Sequence, residues 1–329
     1  MKELDSDGRS YLTCLIGLPP GGRERWEKAL AGAKGSALAG RALAMLGRDA
    51  EALAVLDKAV ARDAKDAEAW AWRGEAHLLA GRLDPARRDL DRAAELATSW
   101  PWARILRAVT MLSVGDVAGA SAELAKTDAP EAAVVAALVE GQRGQAAQGV
   151  ATLAKADSGP AYAVRALLKL GLGDLPGGLA DIQEAAKLEP SAWVLMRRAD
   201  ALNRSGFYRD ALKDAFKAAE LLPGVPEPRL QAANIYFDQA FYPEALEHME
   251  AALACSPDDA ALLARRARFH LLLGRLEEAE AGLDRALKSA PGDGQLVYER
   301  LNVIALRGRY DEVLKAIKRA RCRRRSTPI

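Results

Sequence analysis

Three histidines, three cysteines and several paired carboxylates are the groups in this chain that could do chemistry, so their spacing comes first. A zinc or redox site asks for spacings such as C-x-x-C or H-x-x-x-H, because one ion must be gripped from several sides by ligands that share a turn or a helix face. Cys14, Cys255 and Cys322 lie far apart and are odd in number, and neither spacing occurs. His77 and His270 fall where the surrounding pattern wants a bulky packing group, and His248 stands among Glu244, Glu247 and Glu250. The carboxylate pairs Asp89/Asp91, Asp258/Asp259 and Glu277/Glu278 fall at helix starts or on outer helix faces, so they read as caps and surface. Gly171-Leu-Gly173-Asp-Leu-Pro-Gly177 lacks the register of a nucleotide loop and follows no strand. The expectation is a chain with no catalytic residue, no metal ligands and no cofactor.

The elements that carry these residues are helices. Half of the 329 residues are hydrophobic, 5% are aromatic, and alanine, leucine and arginine dominate, which suits close helix packing. Net charge is +2, but Lys315, Lys318, Arg319, Arg321, Arg323, Arg324 and Arg325 are all cationic, so the rest of the chain is mildly acidic. Nucleic acid along the whole surface is therefore not expected. No stretch approaches the roughly 18 apolar residues that span a bilayer. Glu3, Asp5 and Asp7 stand where a leader would be basic, which makes a cytoplasmic location the expectation.

A glycine returns at Gly47, Gly81, Gly115, Gly144, Gly173, Gly206, Gly274 and Gly308, with Ala240 in its place once. The steps are 34, 34, 29, 29, 33, 34, 34 and 34 residues. A period of this size marks a helix-turn-helix unit that buries its apolar face only against its neighbours. With the glycine counted as position 15, position 8 is small from Gly40 and Gly74 to Ala267, and position 20 is small from Ala52 to Ala279. Small side chains let two helices approach closely. Position 32 is proline at Pro190, Pro223, Pro257 and Pro291, which ends the second helix. Arginine recurs at position 7 as Arg73, Arg198, Arg266 and Arg300, where it reads as a bridge between helices.

These positions resemble the tetratricopeptide repeat family. The best copies are Trp70-x-x-Arg73-Gly74-x-x-His77 followed by Gly81, Leu83, Ala86, Leu90 and Ala93, and Glu227 through Tyr236, Tyr242, Ala245, Ala252 and Pro257. The resemblance covers nine copies over residues 33–321. It implies an all-α, right-handed superhelical solenoid of antiparallel helix pairs, with a concave face lined by the first helices. Residues 1–32 then form atypical capping helices, with a first helix near Ser10–Leu18 and a second over Arg23–Ala33, and 322–329 form a basic tail. The copies starting near Pro101 and Pro130 lack five residues where their second helices should end. At the other end Val313, Leu314 and Ile317 have no following repeat to cover them, so either the chain continues or that end packs on a partner.

In that family the concave groove is lined mainly by positions 2, 5, 9, 12 and 13 of the first helices. The middle copies supply an apolar set there, Ile105, Val109, Leu112, Val134, Leu138, Leu167 and Leu170, which either packs between repeats or forms an apolar groove. The later copies supply a peptide-binding set: Asp200, Asn203, Arg204, Leu230, Asn234, Phe237, Asp238, Arg265, Arg268, Tyr298 and Asn302. Asparagines could hold a peptide backbone, Leu230, Phe237 and Tyr298 its apolar groups, and the arginines its acids. The subtype that grips a terminal carboxylate uses lysine at position 5, where this chain has Leu230. The expected function is a non-enzymatic scaffold that binds a peptide or protein surface. The alternatives are an accessory module of an enzyme, secretion or glycosylation assembly, and self-association through the solenoid ends.

Overall fold

In the computed structural model, residues 22–33, 35–188 and 190–325 are described, and they hold nineteen helices and no strand. The first helix expected near Ser10–Leu18, the position of Cys14 and residues 326–329 of the basic tail lie outside the described residues. The chain divides into two compact units, Met1–Asp214 and Ala215–Ile329.

The first unit begins with α1 (Gly22–Gly32), close to the expected Arg23–Ala33. Helix pairs follow: α2 (Ala37–Met45) with α3 (Asp49–Arg62), α4 (Ala67–Leu79) with α5 (Leu83–Leu96), and α6 (Pro101–Ser113) with α7 (Val117–Leu124). Then come α8 (Ala132–Gln142) with α9 (Ala146–Thr152), α10 (Gly159–Gly171) with α11 (Leu175–Leu188), and α12 (Ala192–Arg204) with α13 (Tyr208–Leu221), which contains the division. The second unit continues with α14 (Glu227–Asp238) and α15 (Tyr242–Cys255), α16 (Ala260–Leu272) and α17 (Leu276–Ser289), and α18 (Gly294–Leu306) and α19 (Tyr310–Arg325). The last helix runs past residue 321 into the segment expected as a tail.

Each turn is made by the residue the period singles out. The eight recurrent glycines all have positive φ, from 72° to 84°, and Ala240 adopts 62°. That left-handed residue lets two amides reach back to the ending helix: Gly81 N–H donates to the Leu78 carbonyl at 3.0 Å and Arg82 N–H to that of His77 at 2.8 Å. The first helices start at side-chain caps, with Asp66, Ser158, Ser191, Asp259 and Asp293 each accepting a hydrogen bond from an amide of the first turn.

The second helices are 14 residues long in the standard copies and 16 in the last, whereas α7 and α9 have 8 and 7, so the shortening falls where the sequence places it. Within a pair the small positions are in close contact. A Cβ on Gly74 would lie 2.7 Å from Leu90 Cγ, and one on Gly149 would lie 2.7 Å from the Ala137 carbonyl oxygen. The first clash involves a movable side chain, the second a backbone atom.

Two substitutions should therefore move stability in opposite directions. Ala240→Gly removes the cost of an alanine in the left-handed region and should stabilise the second unit by about 1 kcal/mol. Gly149→Ala should destabilise the first unit by about 1–3 kcal/mol. Urea unfolding followed by helical circular dichroism measures both.

Candidate functional site

Charged side chains are placed by the repeat itself. Position 7 of a first helix faces position 23 of its own second helix and position 25 of the preceding one. Arg73 donates to both Asp89 carboxylate oxygens at 2.7 and 2.8 Å, and to Asp57 at 3.0 Å. Arg198 holds Asp214 at 2.6 Å, Arg266 reaches Glu250 at 3.2 Å, and Arg300 pairs with Asp284. All four arginines singled out in the sequence thus bridge helices. Arg107 and Arg165 do the same and were missed: Arg107 contacts Glu123 at 3.0 Å and Asp91 at 2.9 Å, and Arg165 contacts Asp181 at 2.8 and 2.7 Å. The signal was available, because acid at position 23 accompanies arginine at position 7 in these copies.

One expectation is corrected here. Asp89 is not a surface acid: it is 5% exposed and belongs to the Arg73 bridge. The copy with Ala240 has Ala232 at position 7 and no bridge; instead His248, at position 23, stacks between Phe216 and Tyr236 with ring centroids 5.2 Å away on each side. Burial holds His248 below the ordinary imidazole value, with Glu247 opposing and Arg229 assisting. His270 is buried, in keeping with its expected packing role, and His77 is half-buried beside Asp89.

A second arrangement had no counterpart in the sequence reading. Arg41 donates to Glu75 at 2.8 and 3.1 Å, and its guanidinium lies 3.8 Å from the ring centre of Trp72 and 5.4 Å from those of Trp26 and Trp102. Glu75 has no exposed surface. Its burial raises the carboxyl above the ordinary value despite Arg41, whereas Asp181, also desolvated, is held below it because Arg165 and Lys169 together outweigh the burial. The Trp70-Ala-Trp72 and Trp100-Pro-Trp102 spacings were the legible hint. Because the guanidinium already has a carboxylate and aromatic faces, this cluster is internal packing.

The apolar set resolves in the same way. Ile105, Val109, Val134 and Leu138 are buried, and Leu112, Leu167 and Leu170 are half-buried against core clusters that span neighbouring repeats. They are inter-repeat packing, not an open groove.

The peptide-binding set divides between the units. In the first, Asp200 and Arg204 are exposed and 4.0 Å apart on α12, with Asn203 half-buried beside them. In the second, Leu230 and Phe237 are half-buried, and Phe237 stacks on the buried Phe269 with centroids 5.1 Å apart, so neither is a vacant pocket. Asn234 on α14 is half-buried, while Asp238, Arg265, Arg268, Tyr298 and Asn302 are exposed. Arg268 pairs with Glu299, which also accepts from Gln295 at 2.9 Å. Arg268, Glu299 and Asn302 line a cleft of about 160 Å³ with Ala267, Leu271, Leu283 and Val303. Desolvation of the Arg265 guanidinium and the charge of Arg268 hold it below the ordinary arginine value, with the Asp238 carboxylate opposing.

Two tetratricopeptide repeat models match the chain, over residues 37–101 and 241–299. The chain is a tetratricopeptide repeat protein. No curated protein matches it. Among solved structures it is similar to a chain in the crystal structure of the APC/C hetero-tetramer Cut9-Hcn1, with a TM-score of 0.59 at 15% identity. That likeness covers 82% of this chain and 48% of the other, so this chain spans about half the length of its structural relative. Among the described residues of this tetratricopeptide repeat protein, no group of three or more metal-ligating side chains comes together, and no helix is long and apolar enough to cross a membrane.

The bridges give a pH prediction. Asp181 has a folded value below its ordinary 3.8, so its contribution is present above about pH 4 and is lost as pH falls through the folded value. Asp181→Asn should cost about 3 kcal/mol at pH 7, and the difference from the parent should shrink at pH 3. All six tryptophans lie in the first unit, so tryptophan fluorescence during urea unfolding reports on that unit alone.

Proposed function

We propose that this chain is a non-enzymatic protein-interaction scaffold whose second unit binds an extended peptide bearing an acidic side chain, across the first helices α14, α16 and α18. The observation that carries this reading is the exposed Arg265 beside the exposed Arg268 on α16. Arg268 is held by Glu299, while Asp238 offsets the repulsion and desolvation at Arg265 only in part, and an incoming acid would relieve them with charge-assisted hydrogen bonds. Asn234 and Asn302 flank this point on the neighbouring first helices and can each donate to and accept from a peptide backbone. Tyr298, 61% exposed, offers an aromatic face to an apolar side chain of the ligand. The family match supports the scaffold role. A likeness to one chain of a hetero-tetramer is in keeping with service inside a multi-protein assembly.

The first unit has less to offer such a ligand, because its middle apolar positions are packed and its position-7 arginines are paired. The probe is a library of fluorescent ten-residue peptides with a central Asp or Glu, with Asn or Gln in its place as the control. Acidic members should bind, and Arg265→Ala should weaken them about tenfold or more. Asn234→Ala with Asn302→Ala should weaken acidic and neutral members alike, while helix content and melting stay unchanged. Equal binding by the parent and both variants would refute the site.

A further inference from the structure

The outer side of the last helix pair is built like an internal repeat interface, yet no helix covers it among the described residues. Position 24, nine residues after the turn, lies at the contact between repeats. In the eight earlier copies this residue is buried, from Leu56 and Leu90 to Met249 and Leu283. In the second unit the cover is the next first helix: Met249 clusters with Phe269 of α16, and Leu283 with Leu296 and Val303 of α18. Its counterpart on α19, Ile317, is 41% exposed, and with Leu314 at 55% and Tyr310 at 65% it forms a stripe at i, i+4 and i+7. Lys315 and Lys318 beside the stripe are exposed, and from Val313 to Arg325 the sequence holds seven lysines and arginines and no acid.

We infer that the outer face of α19 is a docking surface for an acidic amphipathic helix presented by another protein. A helix fits because a helix occupies the equivalent position over Met249 and over Leu283. Acidity follows from charge: Lys315 and Lys318 stand exposed beside the stripe and the sequence that follows adds five arginines and no acid, so a helix with carboxylates flanking its apolar stripe is attracted and one with basic flanks is repelled. The contact joins an apolar strip to charge steering, which gives both affinity and selection. It is separate from the first-helix surface proposed above and does not rest on it.

The chain's own architecture supplies the probe. Residues 259–273 contain the helix that covers Met249. A hydrocarbon-stapled, fluorescent peptide of that sequence carrying Arg265→Glu, Arg266→Glu and Arg268→Glu is an acidic amphipathic helix, and the unaltered sequence is its basic control. Fluorescence anisotropy with the full chain should show the acidic peptide binding at least about tenfold more tightly than the basic one, and more weakly as salt rises from about 0.05 M to about 0.5 M. Leu314→Glu with Ile317→Glu should abolish binding with helix content unchanged, whereas Asn234→Ala with Asn302→Ala should leave it intact. Equal binding of the two peptides, or binding unaffected by the α19 variant, overturns the inference. A concentration-dependent dimer in light scattering that the α19 variant abolishes makes a second copy the occupant and overturns it too. So does binding to phosphatidylglycerol vesicles, lost in that variant, when the acidic peptide does not bind.

Discussion

The approach of two helix backbones within each repeat sets the terms for everything else in this protein. Where a first helix crosses its second, the side chains at positions 8 and 20 are alanine or glycine in every copy but the last, and neighbouring atoms leave little room for more: a Cβ on Gly178 would meet Leu170 Cγ at 2.6 Å. Because the crossing is so close, position 24 reaches under the next first helix and position 7 comes within hydrogen-bond range of position 23. The apolar core and the arginine bridges are two results of one spacing. The turn glycines serve the same end, since the left-handed residue reverses the chain tightly enough for the pair to nest.

Charge follows the same geometry, and its variations are instructive. Where position 7 is arginine and position 23 is acidic, the pair closes across its own repeat; where position 23 is Gly282 or Ala316, the arginine turns back to an acid of the preceding second helix, as Arg266 does to Glu250 and Arg300 to Asp284. The copy with Ala232 at position 7 also lacks the turn glycine and substitutes rings, with His248 against Phe216 and Tyr236. One copy thus departs from the pattern at three linked places, which marks it as the most altered of the standard-length repeats. Burying an ion pair is costly unless both partners stay, so these bridges act more to fix the register of neighbouring helices than to add stability.

The two units use their charges differently. The first spends its position-7 arginines on internal partners, and most completely Arg41, which lies against Glu75 and three indole rings. The second leaves the charge of Arg265 only partly offset by Asp238, keeps Asn302 in the open and ends in a helix with an exposed apolar stripe. An interaction surface needs groups whose bonding capacity is unspent, and such groups concentrate in the second unit.

Period and residue type alone determined the helices, the turns and the two shortened copies, because a glycine in the left-handed region and a small residue at a helix crossing are local demands that any one repeat displays. Arg73 and its fellows were legible as bridges for the same reason. The tertiary structure decided which side chains remain available. Ile105 and Val109 occupy positions that line a groove by analogy, yet they are buried, and Phe237 sits at such a position but stacks on Phe269. Arg41 looks like any surface arginine until Trp26, Trp72 and Trp102 are seen around it. Availability depends on what neighbouring repeats lay over a residue, and that is a property of packing between segments about 34 residues apart, which no single repeat contains.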